Sequence, residues 1–104
     1  MSTFDDRENA FEAKFAHDAD MQFKADARRN KLLGLWAAEI MGKSADDAAA
    51  YAKEVIKSDF QEAGDDDVLR KVAFDLGDKS NETAIRAKMD ALMTEAKAQL
   101  MSEL

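Results

Sequence analysis

LLGLWAAEIMG, residues 32–42, places six large apolar side chains within eleven positions and ends in a glycine. Apolar residues recur here at spacings of three and four, which is the spacing of one face of an α-helix. Glycine is common just after the end of a helix, so Gly42 marks the stop. The run predicts an amphipathic helix that ends at Met41, and we expect these side chains in the core: Leu32, Leu33, Leu35, Trp36, Ile40 and Met41.

The helical pattern extends upstream from this run to the start of the chain. At about 100° per residue, Phe4, Phe11 and Phe15 form one narrow stripe on a face that also carries part of the apolar run. Four polar residues interrupt that face: Asp18, Gln22, Asp26 and Arg29. Because an interrupted stripe cannot belong to one continuous core seam, we divide the chain into an N-terminal segment, residues 1–18, and a helical domain, residues 19–104.

A second helix follows the turn at Gly42. Ser44 lies three residues before Asp47, which resembles a capping box in which Asp replaces Glu. The pattern predicts a helix that reaches about Phe60 or Glu62. Its apolar face repeats at spacings of three and four: Ala48, Tyr51, Ala52, Val55, Ile56 and Phe60.

Two further helices complete the predicted domain. The acidic triplet at residues 65–67 opens a short third helix, in which one Asp caps the start, and Gly77 ends it. Ser80 or Asn81 caps a fourth helix. The chain has no proline and only four glycines, and nothing in it has the alternating pattern of a strand. We therefore predict an all-α protein, a small four-helix bundle with one short helix and a mobile N-terminal segment.

Composition excludes several classes of function. The 104-residue chain has no cysteine, one histidine and a net charge of −7. Without cysteine or a histidine cluster there is no zinc site, and the isolated glycines form no phosphate-binding loop. An acidic chain repels nucleic acid, and no apolar run approaches the ~20 residues that span a bilayer. We expect no enzyme activity, no cofactor, no nucleic-acid partner and no membrane insertion, in a cytoplasmic protein that is monomeric when free.

Two isolated features have both a functional and a structural interpretation. The triplet at residues 65–67 has carboxylates that suit a divalent cation, but helix capping accounts for it without one. His17 has an ordinary pKa near 6.5 and so is a candidate pH switch, although a lone histidine on a surface usually has no such role. The structural interpretation is favoured for both.

The basic cluster Lys24, Arg28, Arg29 and Lys31 is the one positive region of the chain. Such a cluster suits an acidic partner or a nucleotide phosphate, so Lys24, Arg28 and Arg29 are candidate secondary anion contacts. Pairing with Asp20 and Asp26 at helical spacing would instead make it a solvated helix face, and we favour that interpretation. A small nucleotide- or metabolite-sensing bundle that uses these three residues is the alternative function.

The phenylalanine stripe at Phe4, Phe11 and Phe15 has two interpretations that the residues alone do not separate. In the first, it packs against the protein's own core. In the second, its side chains are anchors in the groove of a partner, since an amphipathic helix that binds a groove uses anchors spaced by three, four or seven positions. A segment this short and charged forms only a marginal helix by itself. The second interpretation therefore predicts a segment that is disordered or transiently helical when free and folds on binding.

Four runs of the sequence resemble the zeta subunit of alphaproteobacterial F-type ATP synthases. They are FDDRENAFEAKFAHD at residues 4–18, FKADARRNKLLGLWAAE at 23–39, YAKEVIKSDF at 51–60 and GDDDVLRKV at 64–72. The resemblance covers nearly the whole chain in order. The connection at residues 77–86, GDKSNETAIR, is the part without a clear match.

The resemblance implies an ATPase inhibitor that acts on the catalytic head of the synthase at the cytoplasmic face of the inner membrane. It implies that the N-terminal segment inserts as a helix at an alpha/beta catalytic interface next to gamma and blocks rotation. Its partners would be the alpha, beta and gamma subunits. Carried over by position, the inhibitory contacts are these residues: Phe4, Asp5, Asp6, Arg7, Glu8, Phe11, Lys14 and Phe15.

Overall fold

A computed structural model describes residues 18–59 and 64–103. Four α-helices make up this part of the chain: α1 (Ala19–Ile40), α2 (Ala45–Ser58), α3 (Asp66–Leu76) and α4 (Glu82–Ser102). One 3₁₀ turn, Gly77–Lys79, joins α3 to α4. The predicted all-α, four-helix fold with one short helix is confirmed. The predicted N-terminal segment lies outside the described residues, apart from Asp18.

Side-chain caps fix the starts of three helices. The Asp18 carboxylate accepts hydrogen bonds from the backbone N–H groups of Asp20 and Met21, both at 3.1 Å, so α1 begins with its own N-cap. Ser44 accepts from Asp47 N at 3.3 Å at the start of α2, and Asn81 accepts from Ala84 N at 2.9 Å at the start of α4. These bonds satisfy backbone donors that a helix leaves unpaired in its first turn. The predicted caps at Ser44 and Asn81 are confirmed.

One predicted capping contact and one predicted helix end differ from the structure. Asp65 occupies the N-cap position of α3, but its side chain makes no capping hydrogen bond there. The Asp65 carboxylate instead accepts from the Arg29 guanidinium at 3.1 Å, since a charged donor is available on α1. The second helix also ends at Ser58, with Asp59 as its C-cap, rather than reaching Phe60 or Glu62.

Helix α1 is the central element, because the other long helices pack along it. Helix α2 runs antiparallel to α1 and covers its C-terminal half. Helix α4 also runs antiparallel to α1, with its C-terminal end against the N-terminal half of α1 and with Lys88 reaching the ring of Trp36. Short α3 packs between α2 and α4. The main core cluster contains side chains from all four helices, with these largest members fully buried: Leu33, Val55, Val68, Val72 and Ile85. A second cluster joins Met21 and Ala25 of α1 to Leu100 of α4.

The crossing of α1 and α2 depends on Gly34. A Cβ atom placed on Gly34 would lie 2.6 Å from the Cα of Ala52 and 3.3 Å from a Val55 methyl. Such a distance to backbone is shorter than van der Waals contact, so any side chain at this position would push the two helices apart. Glycine therefore sets the separation of α1 and α2.

The prediction of a core position is wrong for two residues. Leu35 is 37% exposed and Ile40 is 36% exposed, although Leu33 is fully buried and Leu32, Trp36 and Met41 pack against the core. The buried stripe of α1 advances in steps of four residues, each of which turns about 40° around the helix. The stripe winds because α4 covers one end of α1 and α2 covers the other, and Leu35 and Ile40 fall outside it.

Candidate partner-binding surface

The predicted site residues divide into two groups. The eight proposed inhibitory contacts, Phe4 to Phe15, lie outside the described residues, so their roles stay predictions. The three candidate anion contacts, Lys24, Arg28 and Arg29, all lie on α1, but only Lys24 and Arg28 share a surface groove, whereas Arg29 is buried. The structure therefore does not bring them together as one anion pocket.

Lys24 and Arg28 each have an acidic partner on the surface. Lys24 Nζ lies 3.0 Å from the Asp20 carboxylate one turn earlier, as the helical spacing predicted. Arg28 reaches α4, where it donates to the Glu103 carboxylate at 2.7 and 2.9 Å and to Gln99 Oε1 at 2.8 Å. This hydrogen bonding raises the pKa of Arg28 and lowers the pKa of Glu103. Arg28 thus links the N-terminal half of α1 to the end of α4.

Arg29 is buried. The predictions that Arg29 interrupts the buried face of the helix and that it belongs to a solvated helix face are therefore wrong. Its side chain is 3% exposed. The guanidinium donates to Asn30 Oδ1 at 3.0 Å and to Asp65 at 3.1 Å, and it lies 4.0 Å from the Asp59 carboxylate. Asn30 in turn donates to Asp59 at 3.0 Å. Arg29 therefore holds both ends of the α2–α3 connection against α1.

Two acids next to Arg29 are partly desolvated. Burial raises the pKa of Asp26, and repulsion from Asp59 and Asp65 adds to it, while Arg29 and Lys97 act in the opposite direction. Burial is also the largest cause that raises the pKa of Asp59, against the Asn30 hydrogen bond and the charge of Arg29. One guanidinium therefore does not fully compensate the three carboxylates around it.

We expect Asp26→Asn to stabilise the protein at pH 7. A raised pKa means that the native state binds the proton more tightly than the unfolded state. The free energy of unfolding therefore rises as pH falls through the native pKa of Asp26, and it levels off below the ordinary value of 3.8. Replacing the carboxylate with a neutral amide should give this gain at pH 7, and the gain should shrink towards pH 4. Urea unfolding at several pH values measures it.

Asp90→Asn is the matched control for that substitution. Asp90 is exposed on α4, and its replacement makes the same change in net charge. We expect it to alter stability by less than about 0.5 kcal/mol at any pH. If Asp26→Asn destabilises the protein at pH 7, the attraction to Arg29 outweighs the desolvation of Asp26.

An open groove runs along the outer face of α1. Its volume is about 500 Å³. The apolar lining comes from all three long helices: Met21, Phe23, Ala27, Ile56 and Leu100. Three cations of α1, Lys24, Arg28 and Lys31, line the same groove, together with Glu103. The sequence did not predict this groove, because its lining comes from three helices and no pattern in the sequence indicates that α1 lies between Ile56 and Leu100.

Phe74 is a second apolar feature of the surface. It lies on α3 and is 86% exposed, beside Lys71 and Asp75. Tyr51 donates to Asp75 at 2.8 Å and Lys71 lies 3.1 Å from the same carboxylate, so these neighbours fix the position of α3 against α2. Phe74 projects outward from this fixed arrangement as a single aromatic side chain.

The geometry is that of a small helical protein with an open surface groove. Among residues 18–59 and 64–103, no group of three histidine, cysteine or acidic side chains is placed to hold a metal ion. None of the described helices is long and apolar enough to cross a membrane. What the described surface offers is a groove and charged helix faces, which suit contact with another polypeptide.

Comparison with known proteins identifies the family. The family model of ATPase inhibitor subunit zeta matches residues 1–99, and the chain belongs to this family. The family is one of regulatory inhibitors, as the resemblance in the sequence predicted. A solved structure, described as the solution NMR structure of a protein, is 64% identical and has a TM-score of 0.76. The match covers 81% of this chain and 99% of that chain. The search of curated proteins found no match.

Proposed function

We propose that this protein inhibits ATP hydrolysis by the catalytic head of the F-type ATP synthase through residues 1–18. The observation that carries the proposal is the family match, which extends over this segment as well as the helical body. In the proposed complex the segment inserts as a helix at an alpha/beta catalytic interface next to gamma. A helix held there would bind one rotary state preferentially and so block rotation.

The roles within the segment follow from its chemistry. Burial of Phe4, Phe11 and Phe15 would supply most of the affinity, since an aromatic side chain removes a large apolar area from water. Charged contacts would set register and partner choice more than strength, and we assign that role to these residues: Asp5, Asp6, Arg7, Glu8 and Lys14. The Asp18 cap of α1 supports the proposed division, because the backbone donors at the start of α1 are satisfied by Asp18 itself.

The nucleotide- or metabolite-sensing alternative has less support. Arg29 is buried against Asp65, and Arg28 is bound to Glu103. Of the three residues in that proposal, only Lys24 has a largely exposed side chain, and it pairs with Asp20. An anion would have to compete with an existing carboxylate at each of them.

Deletion of residues 2–17 should abolish inhibition of ATP hydrolysis and leave the thermal transition of the body nearly unchanged. The deletion retains Asp18, so the cap of α1 stays intact. The measurements are ATPase activity of the isolated catalytic head with added protein, and the melting temperature by circular dichroism. Inhibition by the truncated protein would contradict the proposal.

Substitution of Phe11 and Phe15 by alanine tests the anchors themselves. Each buried anchor in an interface is worth about 2 kcal/mol or more, so the double variant should lose about 4 kcal/mol or more and inhibit roughly 1,000-fold more weakly or beyond. Phe74→Ala is the matched control, because it removes the same ring from an exposed position on α3 and should leave inhibition unchanged. A large fall in the melting temperature of the double variant would instead place the stripe in the protein's own core.

A further inference from the structure

The groove on α1 has a basic edge in an acidic protein. The chain has a net charge of −7, yet three cations line the groove together with the single carboxylate of Glu103. The cations are Lys24, Arg28 and Lys31. Lys24 pairs with Asp20 and Arg28 pairs with Glu103, whereas Lys31 is exposed and, among the described residues, takes part in no ion pair. The groove therefore attracts negative charge on a protein whose overall charge repels it.

The groove has the length and the spacing of a contact between two helices. From Met21 to Lys31, α1 rises about 15 Å, which is nearly three helical turns. The three cations are separated by four and by three residues, so they form one row along this face of α1. On a helix that lies alongside α1, carboxylates at positions i, i+4 and i+7 fall opposite that row. The groove leaves about 500 Å³ for the apolar anchors of such a helix.

The apolar lining of the groove is partly open to water. Phe23 is 55% exposed, and Ile56 of α2 and Leu100 of α4 contribute to the same lining. One turn beyond Lys31, the 37% exposed Leu35 extends the apolar surface on the same face of α1. A lone phosphate or carboxylate covers none of this surface. An acidic amphipathic helix contacts both the apolar lining and the basic row, so the groove fits that kind of partner.

The groove lies next to the point where the N-terminal segment joins the helical body. Its lining begins at Met21, three residues after the N-cap Asp18. A fully extended chain spans at most about 3.6 Å per residue, so Phe15 lies within roughly 11 Å of Asp18. In the function proposed above, Phe15 is an anchor in the catalytic head of the ATPase. The surface of the head would then lie beside the groove.

We propose that the groove on α1 docks the helical body onto an acidic amphipathic helix on the surface of the catalytic head. This docking rests on the function proposed above, because it takes the same partner. It holds the N-terminal segment close to its cleft, so insertion of the segment becomes an intramolecular step at high effective concentration. The segment supplies the block of rotation, and the groove supplies part of the affinity and speeds association through its charge.

Charge changes of opposite effect at the groove test the docking. Lys31→Glu in the full-length protein places an acid in the basic row, and it should raise the concentration for half-maximal inhibition roughly tenfold without changing the maximal inhibition. Glu103→Gln removes the one acid of the groove and should lower that concentration. ATPase activity of the isolated catalytic head, titrated with each variant, measures both values.

Two variants at the opposite end of α4 are the matched controls. Lys79→Glu in the 3₁₀ turn and Glu82→Gln in the first turn of α4 make the same charge changes at exposed positions. Both should leave the half-maximal concentration unchanged. Equal shifts at the groove and at the control positions would show an effect of net charge alone and would overturn the docking. The absence of any shift in Lys31→Glu would overturn it as well.

Carbodiimide cross-linking identifies what lies against Lys31. The reagent joins an amine to a carboxylate in contact with it, so mass spectrometry of the full-length protein cross-linked to the catalytic head identifies both residues. We expect Lys31 to be linked to an acidic residue in a helix of a head subunit, and Lys79 to form no such link. The absence of a link between Lys31 and the head, or a link only to this chain or to a second copy of it, would overturn the proposal.

The docking and the inhibitory role fail separately. Deletion of residues 2–17 removes none of the residues that line the groove, so it tests the inhibitory role alone. If the truncated protein still inhibits, the role of the segment is wrong, whereas the cross-link from Lys31 still reports on the groove. If the wild-type protein inhibits but Lys31→Glu behaves like Lys79→Glu, the docking is wrong and the inhibitory role stands.

Discussion

Replacement of Arg29 by alanine is expected to lower the free energy of unfolding by about 3–5 kcal/mol. The guanidinium is 3% exposed and contacts Asp65 at 3.1 Å and Asn30 at 3.0 Å. Its removal leaves Asp59 without its nearby cation while the carboxylate remains partly buried beside Asn30. The alanine also leaves empty volume between α1 and the α2–α3 connection. Urea unfolding at pH 7 measures the loss.

Arg28→Ala is the control for this prediction, because it removes the same side chain one position earlier. Arg28 binds Glu103, whose side chain is 52% exposed, so the pair is close to water on one side. Exposed ion pairs contribute up to about 1 kcal/mol, and we expect a loss of that size. Equal losses in the two variants would mean that burial of Arg29 adds nothing to its ion pairs.

Arg29→Lys separates charge from geometry. Lysine keeps the positive charge but cannot donate to Asn30 and Asp65 at once from a planar fork. We expect the free energy of unfolding of Arg29→Lys to lie between those of the wild-type protein and Arg29→Ala. Stability equal to wild type would show that charge alone matters at this position.

Substitution of Gly34 by leucine is expected to cost about 1–3 kcal/mol or more, because the side chain meets backbone. The Cα of Ala52 would lie 2.6 Å from the new Cβ, and a backbone atom cannot rotate away. Alanine is a better helix former than glycine by about 1 kcal/mol, so in Gly34→Ala this gain offsets part of the stability lost to the close contact. Leucine gains nearly the same helix propensity but adds further atoms between the two packed helices, so it should be more harmful than alanine. Thermal and urea unfolding both report the difference.

Ala52→Gly in the Gly34→Leu protein shows which contact is responsible. It removes the Ala52 Cβ, which lies 3.2 Å from the built atom, but leaves the closer Cα in place. We expect little rescue. Ala50→Leu, which places the same leucine side chain at an exposed position of α2, should leave stability nearly unchanged. Full rescue by Ala52→Gly would show that the side chain of Ala52, and not its backbone, limits the approach.

Sequence periodicity predicted the helices best where the buried stripe is straight. On α4 the buried residues Ile85, Met89 and Leu92 recur at spacings of four and three, because that helix meets its neighbours along one face. On α3 the same holds for Val68 and Val72. Local caps at Ser44 and Asn81 were also predictable, since they depend only on residues three positions away.

The interpretation of α1 failed for a physical reason. A straight projection assumes one partner surface, whereas α1 changes partner along its length. A signal was nevertheless present in the spacing of four, because these residues form the winding stripe: Met21, Ala25, Arg29, Leu33 and Ala37. Arg29 occupies an apolar position in that series. Its burial was not predictable, because it depends on carboxylates at Asp59 and Asp65 that approach only in the folded chain.

The candidate site was predictable only in part. The phenylalanine stripe and the family resemblance came from the sequence, and the family is confirmed. The contacts of Phe4 to Phe15 stay predictions. The groove required the fold, because its lining comes from three helices separated by long stretches of chain.

The shared role of α1 has a consequence for synthesis of the chain. Its C-terminal half is covered by α2, which follows after a short turn, so this pair can form while the rest is still being made. Its N-terminal half is covered by Leu100 and tied by Arg28 to Glu103, 75 residues later. Met21 and Ala25 therefore stay exposed to water on the ribosome until the last helix has emerged. Among the four described helices, α1 is synthesised first and is the last to be fully buried.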